Sequence, residues 1–190
     1  MFKYQKEWDR ANELNIKYNA GKGLNERDLE ELLDFADVIP IGGTYVEVGV
    51  SGGFSLLAVA MFRPDVECYG VENEKRIVEK IIEEEHIKRV HFVYMDSTEA
   101  CKTWDKEIDL LFIDGNHYLP QVYYDTMGWM PHVKKGCSVL YHDTQVVDEG
   151  EQYDVYKVVK VLRGHNKYKV VIPAVDENIS TSISIVTKLY

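Results

Sequence analysis

Long apolar runs are absent from this chain. Nothing in its 190 residues approaches the ~20-residue stretch that spans a bilayer, and the first residues, Met1 to Asp9, carry charge in place of an apolar leader core. The expectation is a cytoplasmic protein without a membrane partner. Cysteine is scarce as well. Cys68, Cys101 and Cys137 make an odd number with no metal-type spacing, which excludes a disulfide framework or a zinc module and leaves three reduced thiols. Positive charge is in short supply: 22 basic residues face 32 acidic ones, a net charge of −10. Such a surface repels phosphate backbones, so nucleic acid is not the expected partner. Repeats, low-complexity tracts and linker-like stretches are also missing, and the length suits one domain of common size.

What is present is an alternation of apolar runs and amphipathic segments. Residues 1–20 read as a helix broken at Gly21-Lys22-Gly23. Asn25 is placed to cap a second helix, whose first turn carries Glu26 and Asp28 and whose apolar face is Leu29, Leu32, Leu33, Phe35 and Ala36. Strands are predicted at 45–48, 67–71, 90–94, 108–113 and 138–141, with helices between them. The run at 108–113 is almost continuously apolar, as in a centre strand covered on both faces. After a helix near 153–163, the runs 168–172 and 181–187 are joined by residues 173–180, too few for a crossover helix, so they pair antiparallel. The expected fold class is α/β: a Rossmann-like, doubly wound, mostly parallel seven-stranded sheet with an antiparallel C-terminal hairpin. Residues 1–24 would form a helical segment that covers the substrate or meets another subunit, and 25–190 the main domain.

The richest stretch is Tyr45-Val-Glu47-Val-Gly49-Val-Ser51-Gly52-Gly53-Phe-Ser55. A buried strand runs into a glycine-rich turn and then a helix, whose first N–H groups point at whatever lies over the turn. This is a nucleoside cradle. Glu72, 19 residues beyond Gly53, stands where an acid can take both ribose hydroxyls, in a dinucleotide fold as in an adenosylmethionine fold. Glu47 tips the balance, because a carboxylate in the cradle opposes a pyrophosphate and favours a cationic sulfonium and amino group. The turn also fails to match G-x-G-x-x-G.

Ligands of open α/β sheets bind at the C-terminal strand ends. All five predicted strands deliver an acid or an imidazole there: Glu47, Glu72, Asp96 before Ser97, Asp114 with His117, and His142 with Asp143. Tyr118, Tyr123, Tyr124 and Tyr141 lie near these residues and are candidates to line a pocket. His86, His91, His132 and His165 read as structural or exposed.

The set Glu47-x-Gly49-x-x-x-Gly53-x-Ser55, Asp114-Gly-Asn-His117, Trp129-x-Pro131, Lys135-Gly136 and His142-Asp143 resembles the class I S-adenosylmethionine-dependent methyltransferases. The nearest branch is methyltransferase family 24, which includes sugar O-methyltransferases and relatives of cephalosporin hydroxylase. The resemblance runs from Leu29 to the C-terminus. It implies that Gly49, Ser51, Gly53 and Ser55, with Glu47 behind them, hold the methionine part of S-adenosyl-L-methionine. Glu72 would bind the ribose, Asp96 and Ser97 the adenine, and Asp114 would lie nearest the reacting methyl. His117 would be the general base. Asp114, His142 and Asp143 would hold a divalent cation, Mg²⁺ or Mn²⁺. The chain departs from that pattern in carrying His142 where relatives have an acid, and Asn116 where they often have aspartate.

The expected activity is O-methylation of a small hydroxylated acceptor such as a sugar, a chemistry in which a neutral histidine can take the hydroxyl proton near pH 7. Open alternatives at this level are a nicotinamide-dependent oxidoreductase, a non-catalytic binding domain, and an iron-dependent hydroxylase-like enzyme using His117, His142 and a carboxylate. The segments that would cover the acceptor are short, so a homo-oligomer is also expected.

Overall fold

The computed structural model describes residues 2–21, 23–145, 147, 148, 151–172 and 182–190. Helix α1 (Gln5–Tyr18) and helix α2 (Glu26–Asp37) precede a strand–helix alternation. It runs β1 (Thr44–Val48), α3 (Phe54–Phe62), β2 (Glu67–Glu72), α4 (Ile77–Glu84), β3 (Val90–Tyr94), α5 (Ser97–Thr103), β4 (Ile108–Ile113), α6 (Gln121–Trp129) and β5 (Val133–Tyr141). A two-residue ribbon, β6 (Val147–Asp148) with β7 (Glu151–Gln152), follows, then α7 (Val155–Arg163), β8 (Tyr168–Val171) and β9 (Ser184–Lys188).

The main sheet has seven strands in the order β3-β2-β1-β4-β5-β9-β8. Strands β1 to β5 are parallel, and β9 is antiparallel to both β5 and β8. The order reverses at β1, so the crevice above the ends of β1 and β4 is the place where such sheets bind ligands. The link from β8 to β9, predicted over 173–180, lies outside the described residues.

Strand alternation sorts the core into two layers. Tyr45, Cys68, Leu110, Phe112 and Leu140 face α1 to α4, with Leu29, Leu33, Leu57 and Ile81 among their neighbours. Val46, Val48, Leu111, Ile113, Val139 and Tyr141 face α5, α6 and α7 through Cys101, Val122, Trp129 and Val159. Asn25 caps α2 as its sequence position predicts, accepting from the Asp28 N–H at 2.9 Å. Helix α1 lies on α3, with Trp8 edge-on to Phe54 at 5.5 Å and Tyr4 edge-on to Phe62 at 5.1 Å. No helix of the described residues is long and apolar enough to cross a membrane. All three cysteines are free.

Candidate active site

A cavity of about 390 Å³ opens at the switch point. Its walls come from the ends of β1, β2, β3 and β4 and the start of α6: Gly49 and Ser51, Glu72 and Asn73, Asp96 and Ser97, Asp114, and then Gln121 and Asp125. The parallel register carries these residues to one edge, since Val48 pairs with Val71 on one side and with Ile113 on the other. Four carboxylates line this cavity, from Glu72, Asp96, Asp114 and Asp125, and no lysine or arginine does so among the described residues.

Glu72 accepts from the backbone N–H of Ser51 at 3.1 Å and of Asn73 at 3.0 Å. Burial raises its pKa, but these two donors and Arg76 outweigh it and bring the value below the usual glutamate range. Ser51 accordingly sits in the left-handed region at φ 49°, its N–H turned toward Glu72. Asp96 caps α5 through Oδ1, which accepts from the Thr98 N–H at 2.9 Å. The Ser97 hydroxyl donates to Asp125, which the Gln121 amide also reaches at 3.0 Å. Asp125 is 1% exposed, and its burial raises its pKa despite those two donors. Sequence reading missed Asp125 and Gln121. Their four-residue spacing, which puts both on one face of a helix, is the available signal.

Glu47, Gly53 and Ser55 do not line the cavity. Glu47 points to the opposite face of β1, beneath the turn, where the Tyr45 hydroxyl donates to it at 2.6 Å and that of Ser55 at 2.7 Å. It is wholly buried. That burial, only partly countered by the two hydroxyls, pushes its pKa up to about 8 from the ordinary 4.5. A raised folded-state pKa favours the protonated form, so this contribution to stability is full below about 4.5 and is lost as pH rises through about 8. Glu47→Gln removes the titration. Between pH 5 and pH 8, the stability of the variant relative to the parent should improve by on the order of 4 kcal/mol. Urea melts at the two pH values check this, and a difference that does not change with pH refutes it.

The second half of the site is a cluster. Asp114, His117, His142 and Asp143 each bring one donor atom within 4.8 Å of the others. His142 Nδ1 lies 2.9 Å from Asp114 Oδ1 and 3.3 Å from Asp143 Oδ1. His117 Nε2 stands 3.5 Å from Asp114 Oδ1 and 3.4 Å from Asp143 Oδ2. The His117 ring is stacked on Tyr153 at 4.8 Å, and its Nε2 is buried without a hydrogen-bond partner. Asp143 holds a left-handed φ of 55°, backbone strain of the kind that gathers at functional sites.

Another carboxylate reaches the cluster from far away in sequence. Asp28 of α2, 1% exposed, lies 3.3 Å from His142 Nε2. Burial would lower the pKa of His142, but the hydrogen bonds to Asp114 and Asp28 and the nearby charge of Asp143 outweigh it and lift the value to about 10. Burial pushes Asp114 upward, and the imidazoles of His117 and His142 beside it reverse that and hold it below the usual range. Asp143 goes the other way, raised by its burial. The sequence shows Asp28 only as an acid in the first turn of a helix.

The tyrosines divide. Tyr141 is fully buried in the core, whereas Tyr118, Tyr123 and Tyr124 are largely exposed, and none of the four lines the cavity. His91 pairs with Glu67, and His132 meets the carbonyl of Cys101, as structural histidines do.

The fold and this site define a class: the Rossmann-like S-adenosylmethionine-dependent methyltransferases. Residues 46–144 match the family model described as Methyltransferase domain, and the chain belongs to that family, methyltransferase family 24. Cofactor-bound Rv0187 from MTB superposes with a TM-score of 0.75 at 13% identity, covering 96% of this chain and 89% of that one. The SAH-bound methyltransferase PaMTH1 of Podospora anserina gives 0.71 at 14% identity, with 97% and 86% covered. MycE methyltransferase of the mycinamycin biosynthetic pathway, solved with Mg and SAH, gives 0.63 at 18% identity and covers 94% of this chain and 53% of that one. These likenesses concern the fold. Among curated sequences, an uncharacterized protein, y4gI of Sinorhizobium fredii, is 28% identical over 122 residues, which span 55% of this chain but only 13% of that protein's length.

Proposed function

We propose that this protein transfers the methyl group of S-adenosylmethionine to a hydroxyl of a small polyhydroxylated acceptor such as a sugar. The observation that carries the reading is the cavity wall of four carboxylates without a lysine or arginine. A dinucleotide's pyrophosphate would be repelled there, whereas a cationic methyl donor is attracted. SAH in PaMTH1 and MycE, and Mg in MycE, support the same assignment.

In this reading Glu72 takes the ribose hydroxyls, Asp96 and Ser97 face the adenine, and Gly49 with Ser51 faces the methionine part. Gly53 and Ser55 act from beneath, Ser55 by holding Glu47 in place. The methyl donor supplies an electrophilic carbon: the acceptor oxygen forms the new C–O bond as the C–S bond breaks and its electron pair goes to sulfur. Asp114 sits where the cavity meets the cluster and aligns the acceptor, and alignment behind the methyl supplies much of the rate. His117 Nε2 accepts the hydroxyl proton.

The cluster also fits a dication, since it combines two carboxylates and an imidazole with the orphaned, buried nitrogen of His117. Asp114, His142 and Asp143 would hold it. A bound dication would supply Lewis acidity, which lowers the pKa of acceptor hydroxyls.

Calorimetry with S-adenosylhomocysteine and with NAD⁺ tests the donor site, and tight NAD⁺ binding with no response to S-adenosylhomocysteine would sink the reading. Labelled methyl transfer to sugars, phenols and catechols, with and without divalent metal, tests the acceptor. Glu72→Gln should weaken S-adenosylhomocysteine binding by about tenfold, because one charged hydrogen bond is replaced by a neutral one. Unchanged affinity would remove Glu72 from the ribose.

A further inference from the structure

We propose that Asp28 is a positioning residue that fixes His142 as a nitrogen ligand and thereby gives the cluster a preference for a transition dication over Mg²⁺. This deepens the dication assignment above and rests on it.

Asp28 is built to hold something still. Its Oδ1 accepts from the Ser182 N–H at 2.7 Å. Its Oδ2 accepts from the Ser182 hydroxyl at 2.9 Å and from the Asn25 amide at 2.5 Å, and lies 3.3 Å from His142 Nε2. A carboxylate only accepts, so His142 Nε2 must carry the hydrogen toward Asp28. That orients the ring with Nδ1 toward Asp114 and Asp143. Phe112, edge-on at 5.9 Å, closes one side of the ring and limits its rotation. This is the outer arrangement that metal-binding histidines use: one nitrogen faces the ion while the other donates to a carboxylate.

The inner geometry agrees. A metal about 2.1 Å from each ligand places neighbouring donors roughly 3 to 3.4 Å apart. His142 Nδ1 lies 2.9 and 3.3 Å from its two carboxylate neighbours. The donor set then contains imidazole nitrogen beside carboxylate oxygen. Mg²⁺ demands oxygen and gains little from nitrogen, whereas Mn²⁺, Fe²⁺, Co²⁺ and Zn²⁺ accept both.

The test uses the full metal-free chain, titrated calorimetrically with Co²⁺ and separately with Mg²⁺. The visible spectrum of the Co²⁺ complex serves as a readout independent of activity. The parent should bind Co²⁺ at least about 100-fold more tightly than Mg²⁺ and show ligand-field bands of a mixed nitrogen and oxygen site. Asp28→Asn should weaken Co²⁺ binding by about 10- to 100-fold and shift those bands. Its affinity for S-adenosylhomocysteine should stay as in the parent, because Asp28 does not line the cavity. A merely structural role for Asp28 would instead weaken both ligands or neither. His142→Glu, which leaves the Asp28–Ser182 bonds intact, should lose the preference for Co²⁺ and carries the test if Asp28→Asn does not fold. Equal Co²⁺ and Mg²⁺ affinities in the parent, or an Asp28→Asn variant that binds Co²⁺ like the parent, would overturn the proposal. Failure of S-adenosylhomocysteine to bind the parent would count against the methyl-donor reading alone.

Discussion

His117→Ala should lower the rate of methyl transfer by about 10²- to 10⁴-fold, the usual contribution of a positioned general base. The Nε2 atom of His117 lies 3.5 Å from Asp114 and 3.4 Å from Asp143, and under the proposed function it faces the acceptor hydroxyl. Its ring is held by the stack on Tyr153, which leaves little freedom for another orientation. The residue does not line the cavity, so affinity for S-adenosylhomocysteine should be unchanged in the variant. Single-turnover transfer of a labelled methyl group, with product binding measured alongside, separates the two effects. Equal loss of both would mean that His117 supports the fold and does not move a proton.

Gly49→Ala should damage stability and donor binding together. Gly49 has φ +88°, and a Cβ built there would lie 2.5 Å from both the Asp114 carbonyl oxygen and the Gly115 Cα. Backbone atoms of the neighbouring strand end cannot step aside as a flexible side chain does. Left-handed strain of about 1–2 kcal/mol adds to an overpacking cost of about 1–3 kcal/mol, so a loss of roughly 3 kcal/mol is expected. Any relief must push the end of β4 outward, carrying Asp114 with it, so S-adenosylhomocysteine affinity should fall as well. Gly42→Ala is the control, for it shares the positive φ, at +74°, but meets open space. Its cost should be strain alone, with binding intact. Urea melts and calorimetry on the pair decide the matter, and similar losses in both variants would show that contact with Asp114 and Gly115 contributes nothing.

Much of the scaffold was legible in the sequence because its signals are local. The strands Val90–Tyr94 and Ile108–Ile113 stand as read, and the cap of α2 falls on Asn25. Strand β5 begins at Val133, earlier than its apolar stretch at 138–141, because Lys134, Lys135 and Gly136 mask the pairing of Val133 with Ile108 across a register shift. The ribbon of β6 and β7, two residues each, is too short to leave a periodic signal. In the site, the residues at strand ends were legible because a parallel sheet gathers them at one edge. The side on which Glu47 falls depends on the pleat, and it points into the core with Tyr45, two residues earlier. Asp28 could not be read at all, for nothing within a helical turn of it foretells an imidazole 114 residues away.

The bonds that join Asp28 to Ser182 cross 154 residues of chain, and through His142 they tie helix α2 to the C-terminal edge of the sheet. A contact of such separation closes a long loop, and no local element holds it once either end is released. The cavity wall, from Val48 to Asp125, contains neither of these two residues. Release of Ser182 from Asp28 should therefore loosen His142 while leaving the walls of the cavity in place.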